Sequence, residues 1–137
     1  MAMVSTKGAY GLTAIIILAR AKDNELLQIK EIASLGDIPS NYLEQILVVM
    51  KKSDIVESIR GANGGYRLIK KPEDISVYEI LKTLDCCVSF ADSRTASGIL
   101  KPFWEETQSR MEEFFSLSIK ELEEFLDSKS NKIMYYI

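Results

Sequence analysis

A mainly helical fold with a small β-hairpin, a winged helix-turn-helix domain followed by a long dimerisation helix, is what this sequence predicts, on three observations. Two short amphipathic helices, Gln28 to Ser34 and Ser40 to Lys52, flank a tight Gly36-Asp37-Ile38-Pro39 turn. Beyond them Arg60-Gly61-Ala62-Asn63-Gly64-Gly65-Tyr66 lies between two β-like runs, Ile55 to Ile59 and Tyr66 to Ile69. The glycines and the Asn-Gly pair of that stretch supply the positive φ angles of a hairpin tip, with an arginine on it. The formal net charge of −3 hides a segregation: residues 1 to 72 carry ten Lys and Arg against seven Asp and Glu, and residues 73 to 137 carry seven against thirteen. A positive amino-terminal half suits phosphates, and helix, turn, helix, hairpin is the order found in winged domains that bind double-stranded DNA.

At 137 residues and 47% hydrophobic content, the chain supports one core with an appendage. The longest apolar run, Ile15-Ile16-Ile17-Leu18-Ala19, falls well short of the ~20 residues that span a bilayer. The start Met-Ala-Met-Val-Ser-Thr-Lys lacks the apolar segment of an export signal, so a cytoplasmic protein is expected. Cys86 and Cys87 are adjacent and cannot staple distant segments, in keeping with a reducing compartment. The residues argue against an enzyme: the chain has no histidine for acid–base work, no phosphate-binding Gly-x-x-x-x-Gly-Lys-Ser/Thr and no paired nucleophile and base.

Taken in order, Ser5 to Ala21 reads as a helix whose apolar residues Ala9, Tyr10, Leu12, Ile15, Ile16, Ile17 and Leu18 cover most of its circumference. Such a helix is buried on several sides, and it lies either between its own domain and a second subunit or within the monomer's core. Ile29, Ile32 and Ala33 form the stripe of the next helix, and Gly36 is expected to stop it. Leu43, Ile46, Leu47 and Met50 repeat the pattern in the third, which leaves Ser40, Asn41, Glu44 and Gln45 free to reach base edges. After the hairpin, Pro72 to Ser76 is a turn, and Val77, Ile80, Leu81 and Leu84 mark a fourth helix that closes a domain over residues 1–84.

Residues 85–100 show no period and read as a loop. Pro102 suits the first turn of a helix, and Phe103, Trp104, Thr107, Met111, Phe114 and Phe115 follow at helical spacing, with Glu105, Glu106, Gln108, Glu112 and Glu113 on the other face. These aromatics read as a dimerisation surface, with a cap on the monomer's own core as the alternative. Ser118-Ile119-Lys120-Glu121 has the form of a capping box that restarts a short helix through Leu122, Phe125 and Leu126. Residues 101–128 are thus expected to carry dimerisation, and 129–137 to form a tail.

The motifs Ser5-Thr6-Lys7-Gly8-Ala9-Tyr10-Gly11-Leu12, Tyr42-Leu43-Glu44-Gln45 and Ser58-Ile59-Arg60-Gly61 through Gly64-Gly65-Tyr66, in that order, resemble a bacterial family of winged-helix repressors. That family includes the iron–sulfur regulator IscR, the nitric oxide sensor NsrR and the cysteine-metabolism repressor CymR. The resemblance implies base and backbone contacts from Ser40, Asn41, Tyr42, Glu44 and Gln45, insertion of Arg60 into the minor groove, and phosphate contacts from Thr6, Lys7 and Tyr10. Phe103 and Trp104 fall where the family has its dimer helix, which Met111, Phe114 and Phe115 continue by their spacing, and Gly61, Gly64, Gly65 and Tyr66 complete the DNA-binding set in the wing, the glycines for hairpin geometry. A narrow minor groove favours an inserted arginine, and hydroxyls and lysines fix register on phosphates. Glu44 either accepts from a cytosine amino group or is a solvated charge.

The sensor region departs from the family. Cluster-binding members carry three cysteines and often a histidine ahead of the dimer helix, because an iron–sulfur cluster needs about four protein ligands. Here Gly98 and Lys101 stand about where the last cysteine and the histidine would fall, and no cofactor is expected. Cys86 and Cys87 are either small packed residues or redox-sensitive thiols. The ending Met134-Tyr135-Tyr136-Ile137 resembles that of CymR, and this implies a complex with cysteine synthase in which Tyr135, Tyr136 and Ile137 are the bound tail. A tail folded back onto the dimer is the other reading. The sequence therefore reads as a homodimeric, DNA-binding repressor of cysteine or sulfur metabolism. A redox or iron–sulfur-responsive regulator, and a protein-interaction module with residual DNA binding, stand beside it.

Overall fold

The computed structural model describes residues 4–85 and 98–135. Helix α1 (Thr6–Ala19) is the centre of the molecule. Ser5 caps it, its Oγ accepting from the Gly8 N–H at 3.0 Å, so a donor left over by the first helical turn is satisfied. Its buried residues Gly8, Gly11, Ala14, Ile15, Ile16 and Leu18 face several directions, and it touches α2 (Ile29–Gly36), α3 (Ser40–Lys52), α4 (Val77–Asp85) and α6 (Ile119–Tyr135). Of the two readings of this apolar helix, the subunit's own core accounts for its burial.

The turn between α2 and α3 differs from expectation. Gly36 is the last residue of α2, and the left-handed residue is Asp37, at φ 51°. A short polar side chain tolerates that conformation. At Gly36 a Cβ would stand 3.0 Å from Ile17 Cδ1 and from Ile38 Cδ1, a tight fit against the ends of two side chains. Ile38 N then donates to Ala33 O at 3.0 Å, and the buried Ile38 docks the turn. Leu43, Ile46, Leu47 and Met50 of α3 are wholly buried in one core with Ile15, Leu18, Ile32, Ile80 and Leu81. Each such side chain contributes roughly 1.5–3 kcal/mol through removal from water.

Asp54, at φ 59°, turns the chain out of α3 into β1 (Val56–Ile59), which pairs antiparallel with β2 (Gly65–Leu68) in the register Val56 to Leu68 and Ile59 to Gly65. On the other edge of β2, Leu27 and Tyr66 exchange backbone hydrogen bonds of 2.9 and 2.7 Å. That single residue works as a third strand and covers the edge.

A short 3₁₀ turn, Pro72–Asp74, leads into α4. Helix α5 (Lys101–Phe115) has no fully buried residue among those described. The capping box read at Ser118 and Glu121 is present: Glu121 N donates to Ser118 Oγ at 3.0 Å, and Ser118 N to Glu121 Oε1 at 3.1 Å. The corner before α6 is held to the domain by backbone bonds from Val77 N to Leu117 O, 3.0 Å, and from Ile119 N to Ile75 O, 2.8 Å. The helix that restarts after Ser118, expected to be short, runs on to Tyr135. No glycine or proline interrupts the chain after Ser118, and the polar Ser128 is accommodated by donating its hydroxyl to Phe125 O at 3.1 Å. Among the described residues, no helix is long and apolar enough to cross a membrane.

Candidate nucleic-acid interface

The first turns of α1 meet the amino-terminal end of α3. Tyr10 of α1 and Tyr42 of α3 are in edge-to-face contact, ring centroids 5.5 Å apart and planes at 78°. This pair, half-buried on the core, brings the first turns of α1 beside the first turn of α3. Thr6 is exposed and Lys7 partly so. Ser40, Asn41, Glu44 and Gln45 are all exposed, opposite the buried stripe of α3, where the helical period puts them. Pro39 precedes α3 and provides no side-chain cap, so the first N–H groups of this helix are open to an incoming acceptor such as a phosphate oxygen.

At its other end α3 is joined to the hairpin: Lys51 Nζ donates to Ser58 Oγ at 2.7 Å. The hairpin tip is tied to the start of α2 by Gln28 Nε2 donating to Ala62 O at 3.4 Å. A cleft between them is lined by Lys30, Lys51 and Arg60 together with Gln28, Ser58 and Tyr66, so its charge is positive. Arg60 is exposed and has no carboxylate partner among the described residues. Glu57 is neutralised across the strands by Arg67 Nε at 2.6 Å.

The hairpin corrects one detail of the sequence reading. Asn63 does not take a positive φ; that role falls to Gly61, at 120°, and Gly65, at 150°. The tip is a wider loop, closed by Gly64 N to Gly61 O at 3.0 Å, rather than a two-residue Asn-Gly turn. Gly64 is required for closeness, because a Cβ there would run into the Ile59 carbonyl, and a Cβ at Gly65 would lie 2.6 Å from Leu27 O. Tyr66 is partly packed on the core and supports the wing from behind.

The residues expected at a dimer contact divide into two groups. Met111 and Phe115 pack against the subunit's own core and form the inner face of α5, which touches α4. Phe103 and Phe114 point away and are 58% and 61% exposed. Trp104 is partly covered and stands edge-on to Phe103 at 5.0 Å between centroids. Cys86 and Cys87 lie outside the described residues, as do Tyr136 and Ile137; of Tyr135 only the helical backbone is described.

Lys51, Gln28 and Lys30 were not singled out by the sequence. The contacts that join α3 and α2 to the wing run between side chains far apart in the chain, and neither period nor motif signals them.

Residues 4–132 match the family model Rrf2, described as iron-dependent transcriptional regulator. CymR of Bacillus subtilis, an HTH-type transcriptional regulator, is 31% identical over 139 residues, covering 98% of this chain and 99% of that one. Its solved structure, described as that of the global cysteine regulator of B. subtilis, superposes with a TM-score of 0.82 over 91% of this chain and 98% of that chain. IscR of T. potens superposes with a TM-score of 0.75 at 34% identity, over 90% of this chain and 87% of that chain. An iron–sulfur cluster held within one chain does not fit the donors present. There are two cysteines, which are adjacent, and no histidine, and among the described residues no group of three or more His, Cys, Asp or Glu is placed to hold a metal.

Proposed function

The chain belongs to the Rrf2 family of transcriptional regulators, and from that premise we propose a cytoplasmic homodimer that represses genes of cysteine or sulfur metabolism by binding a two-fold operator. One observation carries the DNA-reading part: the first turns of α1, the outer face of α3 and the cationic wing are linked by Tyr10–Tyr42 and Lys51–Ser58 into a single unit. In it, α3 lies in the major groove, where Asn41, Gln45 and Ser40 meet base edges and Glu44 accepts from a cytosine amino group. Arg60 reaches the neighbouring minor groove, and Thr6 and Lys7 hold phosphates that fix the register.

The test compares Arg60→Ala with Lys7→Ala in titrations on a selected operator and on random DNA at several salt concentrations. Arg60→Ala weakens specific binding by about 1–3 kcal/mol, while Lys7→Ala weakens binding to all sequences alike and lowers the salt slope by about one. Equal, sequence-blind losses for both remove Arg60 from the reading of sequence.

The metabolic assignment is supported by the likeness to a cysteine regulator over almost the whole chain and by the Met134-Tyr135-Tyr136-Ile137 ending. In this reading the regulator acts with cysteine synthase, which takes the ending as a ligand. An iron–sulfur-responsive regulator is the second reading, favoured by the family's iron-dependent description. Stoichiometric iron and acid-labile sulfide in anaerobically purified protein, lost in Cys86→Ala, would select it.

A further inference from the structure

Val48 is the one large apolar side chain of α3 that is exposed, at 45%, and its position is informative. It stands seven residues after Asn41, four after Glu44 and three after Gln45, so the helical period puts all four on one face. The opposite face, Leu43, Ile46, Leu47 and Met50, is wholly buried, and Val48 adds nothing to it. Single apolar residues on a surface are ordinary; this one lies in the middle of the outward face of a reading helix. About 10 Å of helix axis separates it from Asn41. One turn further on, Lys51 is bonded to Ser58 of the wing. Val48 therefore lies, along α3, between the first turn of the helix and the residue that joins it to the wing.

A valine side chain has no hydrogen-bonding group for a base edge. The one apolar feature that base edges offer in the major groove is the C5-methyl group of thymine. We propose that Val48 is a specificity-determining residue that packs against a thymine methyl group in each half-site, next to the bases read through hydrogen bonds by Asn41 and Gln45. This rests on the DNA-binding reading above and assigns a preferred base to a position that a polar-contact reading leaves blank.

The test starts from duplexes selected by the purified full-length protein from a random pool. Each thymine of the selected site is replaced in turn, in both half-sites, by deoxyuridine, which removes only the methyl group. The unaltered protein should lose about fourfold in affinity per methyl removed at one thymine position, the equivalent of one buried methylene group, and be indifferent at thymines it does not touch. Val48→Ala should bind the thymine duplex more weakly by a similar factor and no longer distinguish thymine from deoxyuridine there. Val48→Thr, close in shape but carrying a hydroxyl, should fall between the two. Because Val48 lies outside the core, near-identical circular dichroism and melting of the variants are expected and exclude misfolding. A selected site without thymine at the positions α3 covers, indifference of the unaltered protein to every thymine replacement, or unchanged discrimination in Val48→Ala would each overturn the assignment while leaving DNA binding intact. Failure of the unaltered protein to enrich any sequence would instead overturn the DNA-binding reading on which it rests.

Discussion

Arg20 and Glu123 join the first and last helices across 103 positions of sequence: Arg20 Nε donates to both carboxylate oxygens of Glu123, at 3.0 Å to Oε1 and 2.9 Å to Oε2. The arginine side of this pair is largely solvated, so its coupling is small, in the range of about 0.2–1 kcal/mol. A double-mutant cycle with Arg20→Ala and Glu123→Ala, followed by urea denaturation, should return a value in that range. It should shrink at high salt. Helix α6 keeps its place in both variants, because the buried Ile119 and the bonds between 117–119 and 75–77 hold its start independently.

A second prediction concerns the crossing of α1 and α4. A Cβ placed on Gly11 would run into Leu84, a buried residue near the end of α4. Gly11→Val should therefore destabilise by about 1–3 kcal/mol through overpacking, with a lower melting temperature. Leu84→Ala alone leaves a cavity and also destabilises. The pair together should be less destabilised than the sum of the two, since each change relieves the other. Strict additivity would mean that the helices shift apart instead of clashing.

These two contacts show where the sequence stops being readable. The helices of the amino-terminal domain could be read because each has an apolar stripe of proper period and a stop signal nearby, and the wing because glycine-rich runs between β-branched residues have few other uses. The face of α3 followed directly from its stripe. What escaped was decided by tertiary neighbours. Gly36 and Gly64 looked like conformational glycines, yet neither takes a positive φ: Gly36 fits tightly against the side chains of Ile17 and Ile38, and Gly64 leaves no room for a Cβ beside the Ile59 carbonyl. The division of the large apolar residues of α5 between Met111 and Phe115, turned inward, and Phe103 and Phe114, turned outward, depends on which side of the helix meets the domain. The length of α6 was underestimated because Ser, Asn and Asp are indifferent helix formers rather than breakers.

The outward group leads to the third prediction. Phe103 and Phe114 are the most exposed aromatics among the described residues, and dimerisation through α5 would cover them. Phe103→Glu with Phe114→Glu should give a folded monomer in analytical ultracentrifugation and weaken operator binding, since two half-sites are then no longer bound together. Met111→Glu, by contrast, should unfold or destabilise the subunit, because Met111 packs on the core. A folded Phe103, Phe114 double variant that remains dimeric would place the interface on another surface.

The fourth prediction concerns the ending. If cysteine synthase captures Ile137, the terminal carboxylate and the apolar side chain have to be presented together, so that deleting Ile137 or adding one residue after it abolishes the complex. Helix α6 continues to Tyr135, so a pocket that takes Tyr135 must unwind the last helical turn. Calorimetric titration of the synthase with the intact and shortened chains, with a peptide ending Met-Tyr-Tyr-Ile as competitor, reads both effects. The free peptide, having no helix to unwind, should bind at least as tightly as the intact chain when unwinding is required, and no better when only the last two residues are taken. Operator affinity of the isolated regulator should be the same with and without Ile137, because the helix-turn-helix and wing are built from residues ahead of α4. Unchanged synthase affinity after truncation would remove the partnership and leave the DNA-binding regulator standing.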